Sequence, residues 1–182
     1  MGRLFTQIDD DLKAFISEQK MFFVATAPLS PEAHINHSPK GLDTFRILGP
    51  RTVAYLDLTG SGVETIAHLK ENQRVVLMFC AFEGPPMIVR LHGRGFVHEP
   101  GDPAFPALAA RFPAHPATRT IVRVEVDRIA DSCGHGVPRY AFQGDRDLIQ
   151  RWAEKKGADG MVDYRRQKNT TSLDGLPGLP VT

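Results

Sequence analysis

The residues best placed to do chemistry are Thr59, Gly60, Ser61 and Gly62, with Thr65 a little further on. They stand where a run of β-formers gives way to a helical pattern. A glycine-rich turn that opens a helix leaves free backbone N–H groups at the positive end of a dipole, which suits a phosphate. This turn lacks the Gly-Lys-Ser/Thr ending of a P-loop and is not Gly-x-Gly-x-x-Gly. A plainer reading also fits, since Ser61-x-x-Glu64 is the pattern of a capping box and needs no ligand. A second turn, Ser38-Pro39-Lys40-Gly41, carries a lysine. Lysines in turns are as a rule solvated, so this one matters only if the two turns lie together.

The other reactive residue types form no constellation. His34, His37, His68, His92, His98, His115 and His135 show no His-Glu-x-x-His spacing, and none joins a cysteine in a zinc pattern. Cys133-Gly134-His135 is an adjacency, whereas a thiol–imidazole pair is defined by geometry. Cys80 sits inside an apolar run and reads as a small core residue. No Gly-x-Ser-x-Gly occurs. No catalytic side chain and no metal ligand can be assigned. An enzyme without reactive groups of its own borrows them from a cofactor, and the phosphate-like turn points to a nucleotide-like one.

The elements that must position these turns are mostly strands. Extended segments are predicted at Met21 to Thr26, His34 to Ser38, Thr52 to Leu58, Arg74 to Phe79, Ile88 to Val97 and Ile121 to Ile129. The last alternates Val122, Val124 and Val126 with Arg123, Glu125 and Asp127, the period of a half-buried strand. Arg74 to Phe79 is apolar after its first residue, as in a strand covered on both faces. Helices are predicted at Leu4 to Glu18, beginning near Thr6, at Ser61 to Asn72, at Pro103 to Phe112, and at Asp145 to Lys156 with Gly157 as its stop. The proline- and glycine-rich end, Asn169 to Thr182, is a frayed tail or an ordered arm. In that arm Leu173, Leu176 and Leu179 recur as apolar anchors. Strands without regular helical crossovers favour a mainly β protein, a six-stranded antiparallel barrel with peripheral helices.

The 182 residues suit one domain, 1–182, with residues 1–20 and 145–182 as appendages. Lys plus Arg is 22 against 21 Asp plus Glu, a formal charge of +1, so no basic excess marks a nucleic-acid binder. The longest apolar run, Val75 to Phe82, falls short of the ~20 residues that span a bilayer. No signal-peptide pattern opens the chain, and a cytoplasmic location is expected.

The segments SPKG (38–41), TVAYLDLTGSGVETIAHLKEN (52–72), RVVLMFCAFEGPP (74–86) and RLHGRG (90–95) resemble the pyridoxamine 5′-phosphate oxidase-related, FMN-binding split β-barrels. The ending KNTTSLDGLPGL (168–179) resembles an uncharacterised branch of them. The resemblance implies a homodimer with FMN at the subunit interface. It implies that Ser38, Pro39 and Lys40 line the flavin, that Tyr55, Asp57 and Thr59 run along its ring and ribityl chain, and that Gly60, Ser61, Gly62 and Thr65 hold the phosphate. Arg90 would reach toward the ring, and Lys168, Asn169 and Ser172 would approach it from the arm. The pattern departs from the true oxidases in two places. Their Arg-Lys pair at the helix start is here Gly62-Val63-Glu64-Thr65, and their Arg- and His-bearing ending is here LDGLPGL, so pyridoxamine phosphate is not the expected substrate. The expected function is hydride transfer between an unidentified small molecule and FMN. The alternatives are a flavin-binding protein without turnover, or a relative using haem or a deazaflavin.

Overall fold

In the computed structural model, which describes residues 2–180, the first helix begins later than the sequence pattern suggests. Asp9 caps it, its carboxylate accepting from the Leu12 N–H at 2.9 Å, and α1 runs Asp10–Glu18. Carboxylates in a first turn oppose the positive dipole end, so the aspartates that follow Thr6 set the start. The residues before them, Leu4–Phe5, form strand β1.

The remaining elements are β2 (Phe22–Thr26), β3 (Asn36–Lys40), β4 (Phe45–Gly49), β5 (Thr52–Leu58), α2 (Glu64–Asn72), β6 (Arg74–Cys80), β7 (Ile88–His98), α3 (Phe105–Ala109), β8 (Thr118–Ser132) and α4 (Leu148–Lys168). The sheet has eight strands, not six, in the order β3-β2-β6-β7-β8-β5-β4, with β1 paired to β8. All pairings are antiparallel. The two extra strands are short and lack a long alternating run, so period alone could not find them. α4 does not stop at Gly157. That glycine breaks the helical geometry with φ 69°, and the helix then resumes to Lys168.

Inward residues of the strands pack into one cluster. It includes Phe22, Val24, Val53, Tyr55, Leu77, Phe79, Leu91, Val122 and Val124. Ile8, Leu12 and Ile16 enter the same cluster, which makes α1 part of the main core rather than an appendage. On β6 the inward Val75, Leu77 and Phe79 are buried, while Val76 and Met78 are half-buried on the outer face. The uniformly apolar run therefore does not reflect cover on both faces within this chain. Across that outer face, Met78 lies opposite Phe23 of β2 on one side and Arg90 of β7 on the other.

β3 and β4 are the two edges of the sheet. β4 begins opposite Tyr55, so Asp57 and Leu58 continue past its end. The last residues of β5 thus face β3 across a seam that no backbone ladder closes.

Candidate functional site

The two turns that could do chemistry meet at this seam. Lys40, at the end of β3, donates to Asp57 of β5 at 3.2 Å. Asn36, at the start of β3, donates from Nδ2 to Thr65 Oγ1 of α2 at 2.8 Å. Ser38 donates to Asn36 Oδ1 at 3.2 Å. In the β2–β3 register Asn36, Ser38 and Lys40 lie opposite Thr26, Val24 and Phe22, whose side chains are buried, so these polar residues share the inner face.

Asp57 is fully buried. Besides Lys40, its carboxylate accepts from Arg119 Nε at 2.8 Å and from Thr120 Oγ1 at 3.2 Å. Burial pushes its pKa up, but Arg119 and Lys40 outweigh that, and the carboxyl is held below its ordinary value. Asp57 is therefore an ionised anchor at the seam, shared between Lys40 and Arg119. Arg119, 4% exposed, also donates from Nη1 to Gly62 O at 2.8 Å. Arg165 donates to Thr59 Oγ1 at 3.0 Å and to Thr118 O at 2.9 Å. Its partners are neutral oxygens; burial and the neighbouring Arg119 depress its pKa. Neither arginine stands out in the sequence, since each lies far along the chain from the turn. The sheet register brings Thr118 and Thr120 beside Leu58 and Asp57, and Arg119 with them.

The glycine-rich turn is tied down by its carbonyls. Asn169 Nδ2 donates to Gly60 O at 2.9 Å, and Arg119 holds Gly62 O. In a trans peptide the next N–H points opposite to the carbonyl. The Ser61 and Val63 N–H groups are thereby turned away from Asn169 and Arg119. Ser61 and Gly62 are exposed, and no hydrogen bond within the described residues uses these N–H groups. Ser61 is not a cap: the N-cap is Val63, without a side-chain bond. Glu64 instead accepts from the Leu173 N–H at 3.2 Å, so the capping-box reading fails because the glutamate has a tertiary partner.

The arm is ordered over the described residues and crosses this turn. Leu179 N donates to Asn169 O at 2.7 Å, and Lys70 Nζ donates to Gly178 O at 2.6 Å. Asp174 accepts from the His34 N–H at 2.8 Å and pairs with His34 Nδ1 at 2.7 Å. Polar groups rather than leucines anchor the arm, and Leu173 is 71% exposed. A side chain at Gly178 would collide with Asn169 O and meet Val63 at 2.8 Å, so glycine is needed for that close approach.

Several residues expected at the site lie elsewhere. Tyr55 points into the core against Phe22, its hydroxyl buried without a partner and its pKa raised by burial and by Asp57. Pro39 and Arg90 share the outer face, where Arg90 donates to Ser132 Oγ at 3.0 Å. Ser172 is buried in the arm's own turn, bonded to Leu176 and Gly175. Lys168 is exposed. Asn169 alone of the three arm residues touches the glycine turn.

Among the described residues no group of His, Cys, Asp and Glu is placed to hold a metal, and no helix is long and apolar enough to cross a membrane. Cys80 is buried, which raises its thiol pKa, and Cys133 is exposed.

An antiparallel split barrel, with polar side chains meeting at its seam and the N-terminus of α2 beside them, defines the class of protein. Residues 8–133 match the family model described as pyridoxamine 5′-phosphate oxidase, and the chain belongs to that family. It is 38% identical to the pyridoxamine 5′-phosphate oxidase family protein ustO of Aspergillus flavus, over 98% of this chain and 78% of that one. Among solved structures it resembles HupZ from Group A Streptococcus, with TM-score 0.53 and 20% identity, covering 74% of this chain and 99% of that chain. It also resembles a FAD-binding protein from Mesorhizobium loti, with TM-score 0.50 and 10% identity, covering 72% and 96%. At these identities the two structures show a shared fold.

Proposed function

We propose that the protein is an FMN-dependent oxidoreductase that binds the flavin in the seam between β3 and β5. The observation that carries this reading is the pairing of Ser61 and Val63 N–H groups, which no described residue accepts, with the cations behind them. Lys40 and Arg119 share the carboxylate of Asp57, and Arg165 beside them bonds neutral oxygens. A buried cation without a counter-charge is costly, and a phosphate at the turn would balance it. The hydroxyl of Thr65 accepts from Asn36, which leaves its own hydrogen to donate. The chain thus offers backbone, hydroxyl and long-range charge to a phosphate, in place of the missing Arg-Lys pair. The flavin-binding label of the Mesorhizobium loti protein agrees, since FAD contains the FMN group.

When bound, the flavin would supply hydride acceptance and donation. The protein's part is to fix it. Ser38 and Lys40 would border it on the β3 side, with Lys40 held in place by Asp57. Asn169 and Arg119 would keep the turn's N–H groups aimed at the phosphate. The site offers no evident side-chain base, so proton transfer would fall to water or substrate.

The absorption spectrum of the purified protein tests this. Flavin bands are expected, with FMN bound more tightly than riboflavin when the stripped protein is titrated with each. A Soret band, or no affinity for any flavin, overturns the reading. Bleaching by NADH or NADPH without oxygen would show an enzyme, and a flavin inert to every donor a carrier.

A homodimer is part of the proposal. The half-buried Phe23, Val76 and Met78 leave an apolar strip on the outer face of β2 and β6. A second copy would cover it, and stable homodimers bury about 2,000 Å² or more. Sedimentation at micromolar protein should give the dimer mass, and a monomer there rejects it.

A further inference from the structure

The seam does not account for every cavity of the chain. A void of about 870 Å³ is bounded by the end of α1, the β3–β4 turn, the β6–β7 turn and the loop before α4. Ligand sites run from about 300 to 1,000 Å³. Its apolar wall includes Met21, Leu42, Phe82, Tyr140, Phe142 and Ile149.

Three features set this void apart from a packing gap. The rings of Phe82 and Tyr140 are stacked, with centroids 5.5 Å apart and planes 27° apart, and the Tyr140 N–H fixes the pair by donating to Phe82 O at 3.0 Å. Yet Tyr140 is 63% exposed and Phe142 47%. Rigid aromatic surface held open to water around a concavity marks a binding site more often than a solvated loop. Leu42, at the lip, has φ 61°. A leucine there is strained by roughly 1–2 kcal/mol, and such strain gathers where a side chain is held for a purpose. Finally, Gly41 and Leu42 of the lining directly follow Lys40 in the chain, which links this wall to the end of β3.

The charges on the rim choose among ligands. Glu18, Glu83 and Asp145 stand against Lys20 and Arg146. Lys20 lies over the Phe142 ring, 5.8 Å from its centroid. No cluster of cations is there to hold a phosphate.

We propose that this cavity binds a bulky, uncharged, planar aromatic molecule, the substrate of the flavin chemistry. Only the word substrate rests on the flavin reading; the binding rests on the cavity itself. The size, the stacked aromatic wall and the absent phosphate grip together turn the site away from pyridoxamine phosphate. The concave shape, walled by four separate segments, suits a small molecule better than the flat surface of a second chain.

The test uses N-phenyl-1-naphthylamine, an uncharged aromatic probe that brightens in apolar surroundings. Flavin-free full-length protein should bind it saturably, one per chain. Phe142→Asp puts a carboxylate into the wall at a half-exposed position and should weaken binding at least tenfold. Tyr140→Ala removes half of the stack and should weaken it severalfold, which keeps the test valid if the aspartate variant melts early. Three outcomes overturn the proposal: no saturable binding, unchanged binding in both variants, or both variants turning a dimer into monomers, which would make a second copy the occupant. Probe binding in a protein that never takes up flavin upholds the cavity and removes the flavin reading. Flavin uptake without probe binding does the reverse.

Discussion

Arg119→Met should cost the fold about 3–5 kcal/mol, because it leaves Asp57 buried with Lys40 as its remaining cation. Asp57 has no exposed surface, and Arg119 gives it the shorter of its two ion pairs, 2.8 Å against 3.2 Å. The substitution also strips Gly62 O of its donor. Methionine matches the arginine stem in bulk, so the loss is one of charge and hydrogen bonds rather than of packing. The pH dependence identifies the cause. In the native protein the Asp57 carboxyl lies below its ordinary value. Its contribution to stability is therefore present above the unfolded pKa, ~3.9, and is lost as pH falls through the lower folded value. In the variant, burial is opposed by Lys40 alone and raises the carboxyl. The gap between the two proteins should then be widest near neutrality and close as pH falls from the variant's raised value to the native lowered one, because Asp57 takes up its proton first in the variant. Urea melts across that range measure it. Coincident midpoints at pH 7, or a gap that does not change with pH, would show that the ion pair is not what Arg119 contributes.

Ser61→Asp should weaken FMN binding by on the order of 10–100-fold while leaving the fold intact. Ser61 is exposed and caps nothing, so the folding cost should stay within about 0.5 kcal/mol. A carboxylate beside a phosphate is another matter. At an effective dielectric of ~20, two unit charges 4 Å apart repel by about 4 kcal/mol, and exposure reduces this several-fold. A loss of on the order of 10–100-fold in FMN affinity is the expected result. Riboflavin, which lacks the phosphate, should bind the variant and the parent alike. Fluorescence titration of stripped protein with both flavins decides it. Equal FMN affinity in the two proteins would move the phosphate away from the turn.

Much of the architecture is legible in the sequence because it rests on local pattern. β5 coincides with its predicted span, Thr52 to Leu58, and β8 keeps the alternation of Val122, Val124 and Val126 at its centre. Errors fall where a tertiary partner overrides a local rule. Leu4 and Phe5 fit a helical stripe, yet they pair with Ala130 and Ile129. Glu64 fits a capping box, yet the arm takes its carboxylate. The glycine turn was visible as a turn, but its backing was not. Arg119 and Arg165 carry no motif, and only the β5–β8 register and the resumption of α4 past Gly157 bring them to Thr59 and Gly62. Tyr55 and Asp57 share one face of β5, but Tyr55 lies where β4 still pairs and its ring packs against Phe22, whereas Asp57 lies past the end of β4; period alone does not give that difference.

The seam between β3 and β5 has a mechanical side. Elsewhere around the barrel, neighbouring strands are zipped by ladders of backbone bonds that break only together. Here the described residues join β3 to β5 through Lys40 and Asp57, Asn36 ties β3 to Thr65 of α2, and the rings of Phe22, Phe45 and Tyr55 pack together close by. Side-chain hydrogen bonds of this kind contribute about 0.5–1.5 kcal/mol each when neutral and up to about 3 when charged. Parting the two strands at this line breaks no backbone ladder. The barrel is closed on this side by side chains, which can exchange partners one at a time without the sheet losing a single rung.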